Sequence, residues 1–242
     1  MTAQAVLSLS LLALGGCGGR PAADVHPQET AMTDDRQAER ERMVRTQIEA
    51  RGVTDPRVLD AMRQVPRHRF VPPAMDGRAY DDTPLPIAAG QTISQPYIVA
   101  AMTEAARLEA DDVVLEVGTG SGYQAAVLSP LVRHVYSVEV VPELAAHAAA
   151  LLSELGLRNV TVREGDGYAG WPDHAPFDAI VVTAAPPEIP QALRDQLKVG
   201  GRMVVPVGVD DQQLLVIERT ADGFDETTLM PVRFVPMVRP PR

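Results

Sequence analysis

Leu115-Glu116-Val117-Gly118-Thr119-Gly120-Ser121-Gly122-Tyr123 joins an apolar, β-branched run to a stretch with helical spacing. Val113 to Val117 has the composition of a buried strand, and Tyr123 to Leu131 reads as the helix after it. The three glycines between them let the backbone approach a ligand closely. Their spacing is G-x-G-x-G, whereas a dinucleotide fingerprint places its third glycine one position later. The turn therefore suits a nucleoside ligand without a pyrophosphate. A tight turn of purely structural purpose would use the same glycines, so its companions decide the matter.

Outward from this turn, short β-branched runs alternate with helical stretches, which predicts an α/β fold with a mostly parallel central sheet and helices on both faces. Strands are expected at Val113 to Val117, Val135 to Val138, Val160 to Arg163, Ala179 to Thr183, Met203 to Val207 and Leu214 to Glu218, with Gly200-Gly201 turning into the fifth. Helices are expected near Tyr123 to Leu131, Pro142 to Leu155 and Ile189 to Gln196. Before the sheet, Asp34 to Arg51 reads as a helix closed by Gly52. A second helix opens with Asp55 as N-cap and Pro56 at its first position, and Pro66 ends it.

Two acidic residues follow later strands. Glu139 ends the second, about twenty residues beyond the glycines, where a carboxylate accepts hydrogen bonds from ribose hydroxyls. Asp166, in Glu164-Gly165-Asp166-Gly167, follows the third and is placed to receive an adenine amino group. An exposed Glu and a simple Asp-Gly turn are the bland alternatives. Loops at the carboxyl ends of successive parallel strands converge on one crevice, which favours a nucleoside site.

The chain has 242 residues, is 45% hydrophobic and carries a formal charge of -10. That length supports one domain over 34-242, with 34-110 as an N-terminal helical region and 111-242 as the ligand-binding sheet. The acidic balance argues against nucleic acid, whose binders cluster Lys and Arg. With Cys17 as the one cysteine and five scattered histidines, no metal site is expected.

Residues 1-33 read as a separate segment. Ala5 to Leu14 is apolar but too short to span a bilayer, and Leu14-Gly15-Gly16-Cys17 resembles a lipobox that would anchor the protein in the envelope through acylated Cys17. Met1 to Ala5 has no positive charge, which a secretory signal would normally carry. The alternatives are a misassigned start and a cytoplasmic protein; cytoplasm is the slightly favoured expectation.

Four further segments are distinctive: Val65-Pro66-Arg67-His68-Arg69-Phe70-Val71-Pro72, Gly90-Gln91-Thr92-Ile93-Ser94-Gln95-Pro96-Tyr97, Thr183-Ala184-Ala185-Pro186-Pro187-Glu188-Ile189-Pro190 and Arg233-Phe234-Val235-Pro236. With the glycine turn, they make the chain resemble the protein-L-isoaspartate O-methyltransferases, from about Met43 to Val238. The resemblance implies a Rossmann-like methyltransferase fold preceded by helices, S-adenosylmethionine as methyl donor, no metal, and isoaspartyl-containing proteins and peptides as acceptors. It also implies a monomer. The implied donor contacts are Glu116, Gly118, Thr119, Gly120, Ser121, Gly122, Glu139, Asp166, Gly167 and Thr183. The implied acceptor contacts are Thr92, Ser94, Gln95, Phe234 and Val235, with Ser94 beside the transferred methyl. Tyr168 and Trp171 are either a wall of the donor site or core.

The acceptor carboxylate is ionised at neutral pH, so methyl transfer requires no general base, and positioning carries the burden. Ser94 would orient the carboxylate, or else cap the helix beginning near Pro96. The methyl ester would close to a succinimide and hydrolyse partly to aspartate. Rival readings are a same-fold methyltransferase of a small molecule, a nicotinamide-dependent oxidoreductase and a non-enzymatic envelope lipoprotein.

Overall fold

A computed structural model describes residues 36-240; the lipobox-like run and Cys17 lie outside them. Helix α1 (Gln37–Met43) continues through a π-helical turn, Val44–Ile48, and a 3-10 turn, Glu49–Arg51, to Gly52, whose φ of +96° closes it in the left-handed conformation. Helix α2 (Pro56–Gln64) starts as expected: the Asp55 carboxylate accepts from the Arg57 N–H at 2.8 Å. Val65 is already extended, as the residue before Pro66 should be.

Two short strands, β1 (Leu85–Pro86) and β2 (Thr92–Ile93), pair antiparallel ahead of α3 (Pro96–Ala105). The alternating half comprises β3 (Val113–Val117), α4 (Tyr123–Leu128), β4 (His134–Glu139), α5 (Pro142–Glu154), β5 (Val160–Glu164), β6 (Phe177–Val182), α6 (Gln191–Gln196) and β7 (Leu197–Val207). It ends in β8 (Gln212–Arg219) and β9 (Phe224–Val232). These seven strands form one sheet ordered β5-β4-β3-β6-β7-β8-β9, parallel from β5 to β7 and antiparallel at β8 and β9.

Both faces are covered, and strand alternation shows it. Val114, Ala179 and Val181 pack into a core with Met43, Ile48 and Tyr123. Their neighbours Leu115, Ile180 and Val182 pack into another with Phe177, Leu193 and Met203. The chain leaves β3 towards β4 on one side and returns to β6 on the other. That places the strand-order switch, and hence the ligand crevice of such sheets, at the carboxyl end of β3.

The strand set differs from expectation in two places. Gly200-Gly201 is not a turn before the fifth strand: it lies within β7, where pairing shifts from Phe177↔Leu197 to Ala179↔Arg202. A Cβ at Gly201 would stand 2.6 Å from the Asp178 carbonyl, so only glycine fits that irregularity. Strand β9 was not expected, because Asp225-Glu226-Thr227-Thr228 lacks an apolar run; it is the exposed edge. Among the described residues no helix is long and apolar enough to cross a membrane.

Candidate active site

A cavity opens at the carboxyl ends of β3, β4 and β6. Its floor is the glycine turn, with Gly118, Thr119, Gly120 and Ser121 on the wall. The turn is held in shape from both sides. Glu139, only 5% exposed, accepts from the Gly120 N–H through one oxygen at 2.8 Å and from the Val141 N–H through the other at 3.0 Å. Each oxygen keeps a further lone pair for a ligand hydroxyl. On the other side the Thr183 hydroxyl lies 3.1 Å from the Val117 carbonyl and closer still to that of Gly118, sharing its proton between them. Gly118 has φ +97°, and a Cβ there would meet the Thr183 hydroxyl at 2.5 Å. The position requires glycine on both counts.

Three expected donor contacts stand elsewhere. Glu116 does not face the cavity: it is fully buried in β3 beneath the turn. Its Oε2 accepts a very short hydrogen bond from Ser137, whose hydroxyl is 2.5 Å from that of Thr119. Burial pushes the Glu116 carboxyl up to about 8, against the Ser137 hydrogen bond and with the help of the Glu139 charge. Gly122 also faces away, with Ala148 and Leu152 of α5 within 3.4 Å of its would-be Cβ. It lets the turn pack on that helix. Asp166 caps the 3-10 turn Gly167–Ala169 by accepting from the Tyr168 N–H at 2.9 Å, and its second oxygen pairs with Arg239 at 3.2 Å. Only its neighbour Gly167 reaches the cavity wall.

The C-terminal segment crosses this cavity and is pinned there. The Ala185 N–H donates to the Val235 carbonyl at 2.9 Å, and the Met237 N–H donates to the Ala185 carbonyl at 2.8 Å. The Tyr168 hydroxyl donates to the Met237 carbonyl at 3.0 Å, and Gln212 brackets Phe234 by accepting from its N–H and donating to its carbonyl. Tyr168 thus anchors this segment, and Trp171 is core, packed edge-on to Tyr136. Neither lines the cavity.

A second cavity adjoins the first. Thr92, Ser94, Thr183 and Val235 line both, while Gln95, Tyr97 and Phe234 line only the second. Ser94 does not cap α3: Gln95 holds that position, without a side-chain cap. The Ser94 hydroxyl makes no hydrogen bond to any described residue, and its backbone carbonyl accepts from buried Arg67 at 2.7 Å. Among the described residues, no group of three His, Cys, Asp or Glu side chains has the geometry to hold a metal ion.

The sequence reading missed Arg67, Gln212 and Met237 as parts of this site. Arg67 lies inside one of the distinctive segments and Met237 one residue past another, so both were within reach; nothing local marked Gln212.

Known proteins resemble this chain over most of its length. The family profile of protein-L-isoaspartate(D-aspartate) O-methyltransferase matches residues 38–241. The chain is 58% identical to the protein-L-isoaspartate O-methyltransferase of Synechococcus sp. (strain JA-2-3B'a(2-13)), over 89% of this chain and 91% of that one. It is 51% identical to protein-L-isoaspartate O-methyltransferase 2 of Anaeromyxobacter sp. (strain Fw109-5), over 99% of each. Among solved structures, a protein-L-isoaspartate O-methyltransferase superposes with a TM-score of 0.74 at 30% identity, over 81% of this chain and 65% of that one. A Plasmodium falciparum homologue bound to S-adenosyl-L-homocysteine superposes with a TM-score of 0.72 at 25% identity, over 82% and 98%. The chain belongs to the protein-L-isoaspartate(D-aspartate) O-methyltransferase family.

Proposed function

We propose that the first cavity holds S-adenosylmethionine, that the second holds the isoaspartyl residue of a damaged polypeptide, and that methyl transfer takes place at the partition between them. The observation that carries this reading is the partition itself: Thr92, Ser94, Thr183 and Val235 belong to both cavities. In-line displacement needs the methyl and the attacking oxygen on one line at contact distance, and a shared wall is where two substrates can meet so.

The residues fit the donor. Gly118 and Gly120 leave the turn's backbone open to a nucleoside, and Glu139 is already fixed by two N–H groups with lone pairs to spare for ribose hydroxyls. The donor supplies an electrophilic methyl on a positive sulfur. Ser94, with its hydroxyl uncommitted, donates to the acceptor carboxylate and fixes the oxygen that attacks. That oxygen arrives ionised, so the site needs no base, and among the described residues no histidine lines either cavity. The product ester is attacked by the following backbone nitrogen, methanol leaves, and the resulting succinimide hydrolyses in part to normal aspartate.

Family membership is the ground for proposing a monomer. We place the reaction in the cytoplasm, where the donor is made. The 99% alignment with the Anaeromyxobacter relative gives the segment before residue 34 a counterpart, which speaks against a misassigned start; an anchored form through Cys17 would place the same domain at the membrane. Calorimetric titration with S-adenosylhomocysteine tests the donor assignment. Saturable one-to-one binding, weakened by Glu139→Ala, is expected, and no binding to folded protein would overturn it.

A further inference from the structure

Beyond the acceptor cavity, the same side of the sheet carries another hollow of equal size, about 450 Å³ each. Arg51, Tyr97 and Met230 line both, so the two hollows are successive stretches of one groove divided by a low ridge. The ridge is well built. The Arg51 guanidinium lies 3.5 Å from the centre of the Tyr97 ring and pairs with Asp82 at 2.8 Å. Past it, the floor is the face of β8 and β9 that carries Val216, Thr227 and Leu229, and Ala101 and Ala105 of α3 form the wall.

The charges along this outer stretch are largely committed inside the protein. The Glu104 carboxylate accepts from the Thr54 and Asp55 N–H groups at 2.6 and 2.7 Å, and Arg202 pairs with Glu218 at 2.5 Å. Arg107 and Asp225, of opposite charge, also line it, and the rest is small or apolar, including Leu229 at 40% exposure. Such a surface offers contact area without demanding a particular charge.

We propose that this outer stretch is a binding subsite for the unmodified polypeptide flanking the isoaspartyl residue, entered over the Arg51–Tyr97 ridge. The inference rests on the assignment of the acceptor cavity above. The acceptor is a polymer whose backbone must leave that cavity, and the groove continues from it across a ridge whose residues line both stretches. A lining of small, apolar and mutually opposed charged side chains suits a repair enzyme that meets damage in many sequence contexts, because it rewards length rather than sequence.

The test compares an isoaspartyl tripeptide with an isoaspartyl decapeptide on wild-type enzyme, Thr227→Trp and Thr228→Trp. Trp is favoured on an exposed strand, and at 227 it fills the groove; position 228 is its neighbour on the opposite face. The decapeptide KM on wild-type enzyme is expected about tenfold below the tripeptide KM, equivalent to about 1.4 kcal/mol. Thr227→Trp should raise the decapeptide KM by about fivefold or more, leaving its kcat and the tripeptide KM unchanged, while Thr228→Trp changes neither. A wild-type KM independent of peptide length, or a Thr227→Trp effect shared by both peptides or absent from both, would overturn the subsite. No methylation of either peptide by folded wild-type enzyme would instead sink the acceptor assignment on which it rests.

Discussion

Arg67 holds Ser94 by its backbone: Nη2 donates to the Ser94 carbonyl at 2.7 Å while Nε donates to the Ala79 carbonyl at 2.8 Å. The guanidinium is fully buried over the Tyr123 ring at 4.8 Å, has no carboxylate bonded to it among the described residues, and is pushed below its usual range by that burial. A cation kept in such a place joins the acceptor loop to the helix that starts at the donor turn. Arg67→Met should cost about 3 kcal/mol of stability, since two buried carbonyls lose their donors, and Arg67→Lys should cost less. If Arg67 acts through Ser94, Arg67→Lys lowers kcat about tenfold in the wild-type background but has no further effect in Ser94→Ala. The melting temperature should fall in both backgrounds. Equal kcat losses in the two backgrounds would show Arg67 to be structural only.

Glu116 makes stability depend on pH in a direction opposite to most carboxylates. Its folded value is pushed up to about 8 from the ordinary 4.5, so between those values the native state holds a proton that the unfolded chain has lost. Stability from this group therefore falls as pH rises from about 4.5 to 8 and then levels off. Glu116→Gln mimics the protonated side chain and removes the dependence. Its melting temperature relative to wild type should climb between pH 5 and pH 9; a constant difference would mean that Glu116 titrates normally.

Gly118→Ala tests the geometry of the donor turn. It places a methyl 2.5 Å from the Thr183 hydroxyl at a φ of +97°, a conformation costing an L residue about 1–2 kcal/mol before any clash. Donor affinity should fall by about tenfold or more. Thr183→Ala should relieve the clash without restoring affinity fully, because the hydroxyl that ties the Val117 and Gly118 carbonyls is then lost. S-adenosylhomocysteine titrations of the two single variants and the double variant measure this.

Asp166 and Arg239 form an ion pair exposed enough to be worth about 1 kcal/mol or less. If Asp166 turns to the adenine amino group when donor binds, Arg239 is a competitor for it. Arg239→Gln should then leave donor affinity unchanged or tighten it by up to about threefold, while Asp166→Ala weakens it about tenfold. Weakening of equal size in both variants would mean that the pair serves only to hold the C-terminal segment.

Periodicity and turn chemistry were enough to locate β3 to the residue, Val113–Val117, and the start of α2 at its Asp55 cap. These elements obey local rules: a buried strand is apolar throughout, and a cap is a single side chain with a single job. Strand β9 escaped because it is an exposed edge whose residues pair through their backbones with β8, a long-range condition that leaves no apolar run. The glycine turn and Glu139 were legible because close approach and charge at strand ends require particular residue types. Glu116 was misplaced because its position in the turn motif does not say which way its side chain points. In β3 alternate residues face opposite sides of the sheet, and Ser137 on the adjacent strand takes its carboxylate. Arg67 was quoted for its segment but not for its role, because the carbonyl it grips lies 27 residues away.

The central claim is methyl transfer to an isoaspartyl carboxylate. Transfer of radiolabelled methyl from S-adenosylmethionine to a peptide with one isoaspartyl linkage, beside the same peptide with normal aspartate, tests it most directly. Base-labile label on the isoaspartyl peptide alone is the expected result, abolished or greatly slowed in Ser94→Ala. Absence of label from both peptides, with donor binding intact, would contradict the account.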